Sequence, residues 1–305
     1  MREILRRYGI LFAFIALMTA LALLSDSFLT ASNILNIARQ VSINAIVAAG
    51  MTFVILTFGI DLSVGSLLAF SGAIMAGLLS AGHPLLLGIG AGLLVGALLG
   101  LVNGLIITKG GVQPFIATLG MLTIARGMTL VYTDGRPITG LPDAFVWLGA
   151  GEIARIPVPV VIMAAVFAAS YVILTQTVLG RYVYAIGGNE EAARLSGVNV
   201  TFYKTAAYVI SGMLSALSAV ILTARLNSAQ PTAGSGYELD AIAAVVLGGT
   251  TLAGGEGGIL GTLLGAFIIG VLNNGLNLLN VSAFYQQVVK GVVILLAVLL
   301  DRRLR

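Results

Sequence analysis

Long apolar stretches recur along almost the whole chain, and most are long enough to cross a membrane as a helix. A spanning helix needs roughly 20 apolar residues for about 30 Å of hydrocarbon. Only 9% of the 305 residues are charged and 58% are hydrophobic, whereas soluble domains carry about 25% charged residues. The alternating strands of a membrane β-barrel do not occur. The sequence therefore predicts an all-α polytopic membrane protein with a single domain, residues 1–305.

Apolar windows separated by polar breaks predict about ten transmembrane helices. The eighth window is short, so residues 238–253 could instead form a re-entrant segment or a broken helix that lines a cavity, which leaves nine spans as an alternative. The ten predicted spans are 8–25, 43–60, 62–81, 84–107, 114–132, 157–175, 203–223, 238–253, 257–277 and 283–300.

Basic residues predict the orientation of these spans. Arg2, Arg6 and Arg7 precede the first apolar run, and we favour a retained first span over a cleaved signal peptide because the small-residue pattern at 20–22 lies inside that run. With ten spans, ten basic residues fall inside and six fall outside. This bias predicts that both termini are cytoplasmic.

Span four carries a glycine every four residues, which places these glycines on one helix face. We expect another helix to pack closely against that face. Residues 96–104 are echoed at 265–275, five spans later, which favours inverted five-helix repeats. Chance similarity among glycine-rich helices is the alternative. The glycines of span four are Gly88, Gly92, Gly96, Gly100 and Gly104.

Catalysis and nucleic-acid binding have little support. His83 is the only histidine and cysteine is absent, which excludes a paired-histidine metal site and thiol catalysis. None of the three lysines follows the glycine of a P-loop, so an ATPase would have to be another polypeptide. The basic residues behind the net charge of +4 are scattered over helix ends and loops, unlike a nucleic-acid patch. We therefore expect no enzyme activity, cofactor, metal or nucleic acid on this chain.

The predicted inside loop, residues 176–202, contains a short and well-bounded helix. Asn189 suits an N-cap, two acidic residues follow in the first turn, Arg194 lies towards the end and Gly197 can stop the helix. A capped amphipathic helix at this face is a candidate docking element.

Asp61 lies between spans two and three, in a motif that includes Gly59, Ser63 and Gly65. Its carboxylate could cap span three by accepting from the amide of Ser63 or of the next residue, and we favour this structural role over substrate contact. The other carboxylates near spans also fall at span ends, which counts against an ion-coupled carrier.

Ordered motifs run along the chain at residues 59–66, 180–182, 187–190, 193–197, 228–234, 237–250 and 272–279. Together they closely resemble the ribose-type family of ABC import permeases, and the likeness spans almost the full chain. The resemblance implies a permease subunit in the bacterial inner membrane that forms the translocation path for ribose or a related monosaccharide by alternating access. The alternative is a self-sufficient secondary sugar carrier coupled to an ion gradient.

The resemblance also implies the partners. These are a second permease subunit in a homodimer, a cytoplasmic ABC ATPase that binds ATP and Mg, and a periplasmic sugar-binding protein. It implies that residues 189–197 form a coupling helix that enters a groove on the ATPase. The coupling residues would be Asn189, Glu190, Glu191, Ala193, Arg194, Leu195 and Gly197.

Such a mechanism requires a weakly polar path, because tight binding would slow release of the sugar. Our candidates for groups that line this path are polar residues within or at the ends of predicted spans. They are Asn44, Thr57, Asn103, Asn274 and Asn277.

Overall fold

The computed structural model describes residues 2–304, and this part of the chain is built almost entirely from helices. Its helices are α1 Arg2–Leu24, α2 Ala31–Leu56, α3 Val64–Ser80, α4 Leu85–Thr108, α5 Pro114–Thr133, α6 Asp143–Ala150, α7 Val158–Gln176, α8 Val178–Gly188, α9 Glu190–Leu195, α10 Val200–Leu226, α11 Tyr237–Leu247, α12 Ile259–Leu278 and α13 Ala283–Leu304. Two short strands, β1 Glu152–Ile153 and β2 Ile156–Pro157, pair antiparallel between α6 and α7.

A helix occurs within each of the ten predicted spans. Among the residues that the structure describes, six helices are long and apolar enough to cross a membrane: α2, α4, α5, α7, α10 and α12. The prediction of an all-α polytopic membrane protein is confirmed. The number of ten spans stays a prediction.

Helix α2 begins twelve residues before the predicted start of its span at residue 43. Its N-cap is Thr30, whose side chain accepts from the amide of Asn33. The side chains of Asn33 and Asn274 exchange hydrogen bonds of 3.0 and 2.9 Å between α2 and α12. The first turns of α2 are too polar to be predicted as part of an apolar span. Asn274 provides a partner for the side-chain amide of Asn33 in these turns.

Helix α10 is the centre of the fold, since it packs against α2, α3 and α4. The glycines of α4 make this packing close. A Cβ on Gly96 would meet the carbonyl of Gly212, and a Cβ on Gly104 would lie 2.8 Å from Thr205. The opposite face of α4 is exposed and apolar, as at Leu98. The predicted helix against the glycine face is therefore present.

The weak eighth span contains only a short helix. Helix α11 has only 11 residues and is about 16 Å long at 1.5 Å per residue, roughly half of a membrane core. Residues 227–236, which we call the α10–α11 segment, precede it and are not helical. A re-entrant segment and a broken helix both contain a helix of this length, so the number of spans stays a prediction.

Candidate functional site

Helix α9 is fixed by signals within its own sequence. The Oδ1 atom of Asn189 accepts from the amide of Ala192 at 2.9 Å, which satisfies one of the amide groups that a helix start leaves unpaired. Gly197 follows the helix with a φ of +84°, a conformation that glycine adopts without a steric cost. The sequence thus predicted both boundaries of this helix.

Two ion pairs connect α9 to itself and to α10. One carboxylate oxygen of Glu190 lies 2.9 Å from Arg194, and the other lies 2.8 Å from the ammonium of Lys204 on α10. Lys204 is only 7% exposed, so the carboxylate of Glu190 compensates a nearly buried positive charge. Glu190 therefore holds α9 against the first turns of the central helix.

The pKa of Glu190 reflects this arrangement. Partial burial alone would raise the pKa of the carboxyl group, but hydrogen bonds and charges from Lys204 and Arg194 lower it below its ordinary value of 4.5. Glu190 is thus ionised at neutral pH, in the form that both cations favour.

The exposed part of α9 is small and mixed in character. Glu190, Glu191, Arg194 and Leu195 line a shallow depression, and we call these four residues the α9 surface. Leu195 is 83% exposed, while Asn189 and Gly197 are exposed at the two ends. The α9 surface therefore carries charges of both signs and one apolar side chain.

Ala193 lies on the other side of α9. It is 6% exposed and belongs to a buried cluster with Ile186 of α8 and Val200 of α10. The structure therefore gives Ala193 no surface with which to meet a partner. Its small side chain instead lets α9 pack against α8 and α10.

A glycine-rich loop, residues 248–258, packs beneath α8. The amide of Gly255 donates to the carbonyl of Leu56 at the end of α2, at 3.0 Å. The hydroxyl of Tyr184 on α8 donates to the carbonyl of Gly257 at 3.0 Å. A Cβ on Gly187 would overlap both the carbonyl of Leu56 and the backbone of Gly255. These contacts fix α8 to α2 and to the α11–α12 loop.

Asp61 lies fully buried at the centre of a group that we call the Asp61 network: Asp61, Ser63, Asn103 and Ser211. Its Oδ1 atom accepts from the amide and the hydroxyl of Ser63, at 3.0 and 2.6 Å. Its Oδ2 atom accepts from the hydroxyl of Ser211 on α10 at 2.9 Å. Asn103 of α4 donates to Ser63 at 2.9 Å. The Asp61 network thus connects the start of α3 to α4 through Ser63 and to α10 through Asp61.

The glycines of the same motif permit close contacts. A Cβ on Gly59 would lie 2.5 Å from the hydroxyl of Tyr208, and a Cβ on Gly65 would overlap the carbonyl of Gly234 in the α10–α11 segment. Two chain segments far apart in sequence therefore meet at the start of α3.

The five residues that we predicted to line a path lie mostly inside the chain. Thr57 donates to the carbonyl of Val54, and Asn103 and Asn274 are held as described above. Asn44 is half-buried and donates to Asp240, while Asn277 is exposed and accepts from Gln286 at 2.8 Å. Their role in a path stays a prediction.

Asp240 shows a contact that the sequence did not predict. Its carboxylate lies 3.0 Å from the ammonium of Lys290 on α13. The pair joins α11 to α13, and Asn44 adds an amide from α2. An ion pair lowers the free-energy cost of placing both charged groups inside a membrane protein.

Ser211 and Lys204 are the site residues that sequence reasoning missed. A signal for the first was available, because Ser211, Ser215 and Ser218 lie on one face of α10 at helical spacing. Lys204 was counted as an inside basic residue, but its burial follows from the fold. Within the described part of the chain, no three histidine, aspartate or glutamate residues come together where a metal could bind.

Comparison with known protein families gives one match. Residues 33–298 match the family described as the permease component of the branched-chain amino acid transport system. This range includes every residue of the α9 surface and of the Asp61 network.

Individual relatives match over nearly their whole length. The ribose import permease protein RbsC of Haemophilus influenzae is 55% identical over 96% of this chain and 92% of its own. The protein of the same name in Bacillus subtilis is 57% identical over 98% and 94%. The D-allose transport system permease protein AlsC of Escherichia coli is 43% identical over 97% and 91%. No solved structure matches the chain.

Proposed function

The chain belongs to the family described as the permease component of the branched-chain amino acid transport system. From this membership and from its relatives, we propose that it is the permease subunit of an ATP-driven importer for ribose or a related monosaccharide. The observation that carries the sugar assignment is identity of 55–57% to ribose import permeases over more than nine-tenths of both chains. The alternative of an ion-coupled carrier receives no support from these relatives.

The protein is an integral membrane protein of the bacterial inner membrane. We propose that both termini are cytoplasmic and that α9 lies on the cytoplasmic side, because basic residues favour that side. A reporter fused after residue 305 tests the orientation. Activity of a cytoplasmic reporter supports it, and activity of a periplasmic reporter alone would reverse it.

We propose that the ATPase is a separate cytoplasmic subunit, that two copies of this chain form the path, and that a periplasmic protein delivers the sugar. The α9 surface supports the first proposal. It is exposed, carries both charges and one apolar side chain, and rests on a helix that ion pairs fix to the centre of the fold.

The contacts also support a mechanical route from α9 towards the membrane interior. Movement of α9 acts on α10 through Glu190 and Lys204. Seven residues further along α10, or about 10 Å, Ser211 holds Asp61 and with it the start of α3. Nucleotide-driven movement below the membrane therefore changes the position of α3.

Inverted repeats and ten spans form part of this proposal. If spans five apart are equivalent, α2 corresponds to α10, α3 to α11, α4 to α12 and α5 to α13. The packing agrees, because α4 packs against α10 and α3 while α12 packs against α2 and α11. Likewise, α3 contacts α5 and α11 contacts α13. Such repeats commonly contain broken helices at mid-membrane, and the short helix α11 fits that pattern.

Gentle purification of the tagged chain from its native membrane tests the proposed assembly. We expect an ABC ATPase to copurify and a periplasmic sugar-binding protein to stimulate its activity. A chain that purifies without an ATPase and carries sugar in response to a proton gradient would instead be a secondary carrier.

A further inference from the structure

The α10–α11 segment crosses part of the membrane without forming a helix. It begins at Asn227, where α10 ends, and continues through successive turns to Gly236, where α11 begins. Ser228 and Ala229 lie near its outer end, since Ala229 pairs with Ile138 of the loop between α5 and α6. Gly234 lies at its inner end, against Gly65.

Contacts with α4 give the depth of that inner end. Gly96 is the middle of the 24-residue helix α4 and packs on Gly212. Ser211, the neighbour of Gly212, reaches Asp61, and Asn103 reaches Ser63 two residues before Gly65. Gly65 and Gly234 therefore lie within about two helical turns of the middle of α4, or roughly 10 Å. This is the central part of the membrane.

A second non-helical segment at similar depth, residues 57–63, offers a comparison. Its polar residues Thr57, Asp61 and Ser63 are fully buried, and each makes a hydrogen bond inside the protein. In the α10–α11 segment, by contrast, the side chains of Thr232 and Ser235 are exposed, although the hydroxyl of Ser235 donates to the carbonyl of Thr232 at 2.8 Å. Of these two segments, only the α10–α11 segment offers polar side chains to the outside of the chain.

Lipid does not tolerate such a surface. Non-helical backbone at membrane depth occurs where protein buries it or where it lines a water-filled cavity, because hydrocarbon cannot satisfy its polar groups. The exposed side chains of Thr232 and Ser235 therefore face water or a partner protein, and not lipid. Arg126 of α5 fixes the segment by donating to the carbonyls of Pro231 and Ala233, at 2.7 and 2.9 Å.

We propose that Thr232, Ser235 and Glu238 form a contact site for the sugar at mid-membrane, and that Arg126 is the residue that positions it. Hydroxyls of serine and threonine donate and accept, and a carboxylate accepts, so together they match a neutral polyhydroxylated ligand. Glu238 is half-buried and lies two residues after Gly236, from whose amide it accepts at 3.3 Å. This inference rests on the proposed function and names the path residues that it requires.

The absence of cysteine from the sequence makes a direct test simple. Thr232→Cys and Ser235→Cys each introduce a single thiol, and Leu98→Cys on α4 and Met213→Cys on α10 are controls at similar depth with exposed apolar side chains. The complete transporter with each variant is placed in lipid nanodiscs, where both faces are wet. It is then treated with a methanethiosulfonate that carries a fixed positive charge, with and without ATP.

We expect Cys at 232 and 235 to react at least about tenfold faster than Cys at 98 and 213, because only a hydrated thiolate attacks the reagent. Their modification should also block uptake of labelled ribose in vesicles, while the control variants keep transporting. Reaction at 232 and 235 as slow as at 98, with and without ATP, would overturn the site. Failure of the unmodified complex to import any sugar with ATP would instead overturn the proposed function.

Discussion

The ammonium of Lys204 lies 2.8 Å from the carboxylate of Glu190, and this contact joins the central helix α10 to the short helix α9. The lysine is nearly buried and the glutamate is partly exposed. One end of the link is therefore fixed in the core, and the other reaches the surface where we propose that the ATPase binds.

Leu195→Asp should weaken coupling without loss of protein from the membrane. The leucine is 83% exposed, so the change adds a charge to the surface and removes no internal contact. In the reconstituted complex we expect binding-protein-stimulated ATPase activity to fall severalfold, because an unpaired carboxylate would be desolvated in the interface. Normal stimulation at normal membrane levels would place the coupling site elsewhere.

Ala193→Asp should act differently, although sequence reasoning alone would assign it to the same interface. Its side chain would enter the cluster formed by Ile186 and Val200, at a cost of about 2 kcal/mol or more for an unpaired polar group. We expect faster amide exchange across α8 and α9. Ala192→Asp, at an exposed neighbour, is the matched control, and equal exchange in the two variants would contradict the burial of Ala193.

The link between Glu190 and Lys204 should depend on pH in the acid range. The folded pKa of Glu190 lies below its ordinary value of 4.5, so its contribution to stability is fully present above that value and is lost as pH falls through the folded pKa. The contribution should stay below about 1 kcal/mol because solvent screens a partly exposed pair. Amide exchange in α9 should rise below pH 4.5 in the wild type relative to Glu190→Gln, and parallel profiles would refute the link.

Gly96→Leu should separate α4 from α10. Even the first atom of the new side chain would overlap the carbonyl of Gly212, and overpacking typically costs about 1–3 kcal/mol. Gly90→Leu is the control on the same helix, since a Cβ there meets nothing within 4 Å. We expect a lower yield and melting temperature only for Gly96→Leu. Equal stability of both variants would contradict close packing of α4 against α10 at Gly96.

Ser211→Ala should disturb transport more than Ser218→Ala. Both remove one buried hydrogen bond from α10, but Ser211 donates to Asp61 and Ser218 donates to the backbone of Ile43 at 3.1 Å. Removal of a donor to a buried carboxylate costs about 1–3 kcal/mol. We expect fewer sugars imported per ATP hydrolysed in Ser211→Ala alone. If the two variants import the same number of sugars per ATP hydrolysed, the Asp61 network does not contribute to coupling.

Sequence reasoning succeeded where the signal is local. The boundaries of α9 follow from Asn189 and Gly197, and those of α4 follow from a long apolar window with polar ends. It failed where the deciding partner is remote. The early start of α2 depends on Asn274, 241 residues away, and the environment of Asp240 depends on Lys290. Burial of Ala193 likewise results from the packing of α9 against α8 and α10. The residues next to Ala193 in the sequence do not predict this packing.

Uptake of labelled ribose into vesicles tests whether this chain is the permease subunit of an ATP-driven sugar importer. The vesicles contain this chain with its copurified ATPase, and the sugar-binding protein and ATP are supplied on the appropriate sides. We expect uptake that requires both ATP hydrolysis and the binding protein, and that persists when proton and sodium gradients are collapsed. Uptake by this chain alone, driven by an ion gradient and indifferent to ATP, would contradict this function.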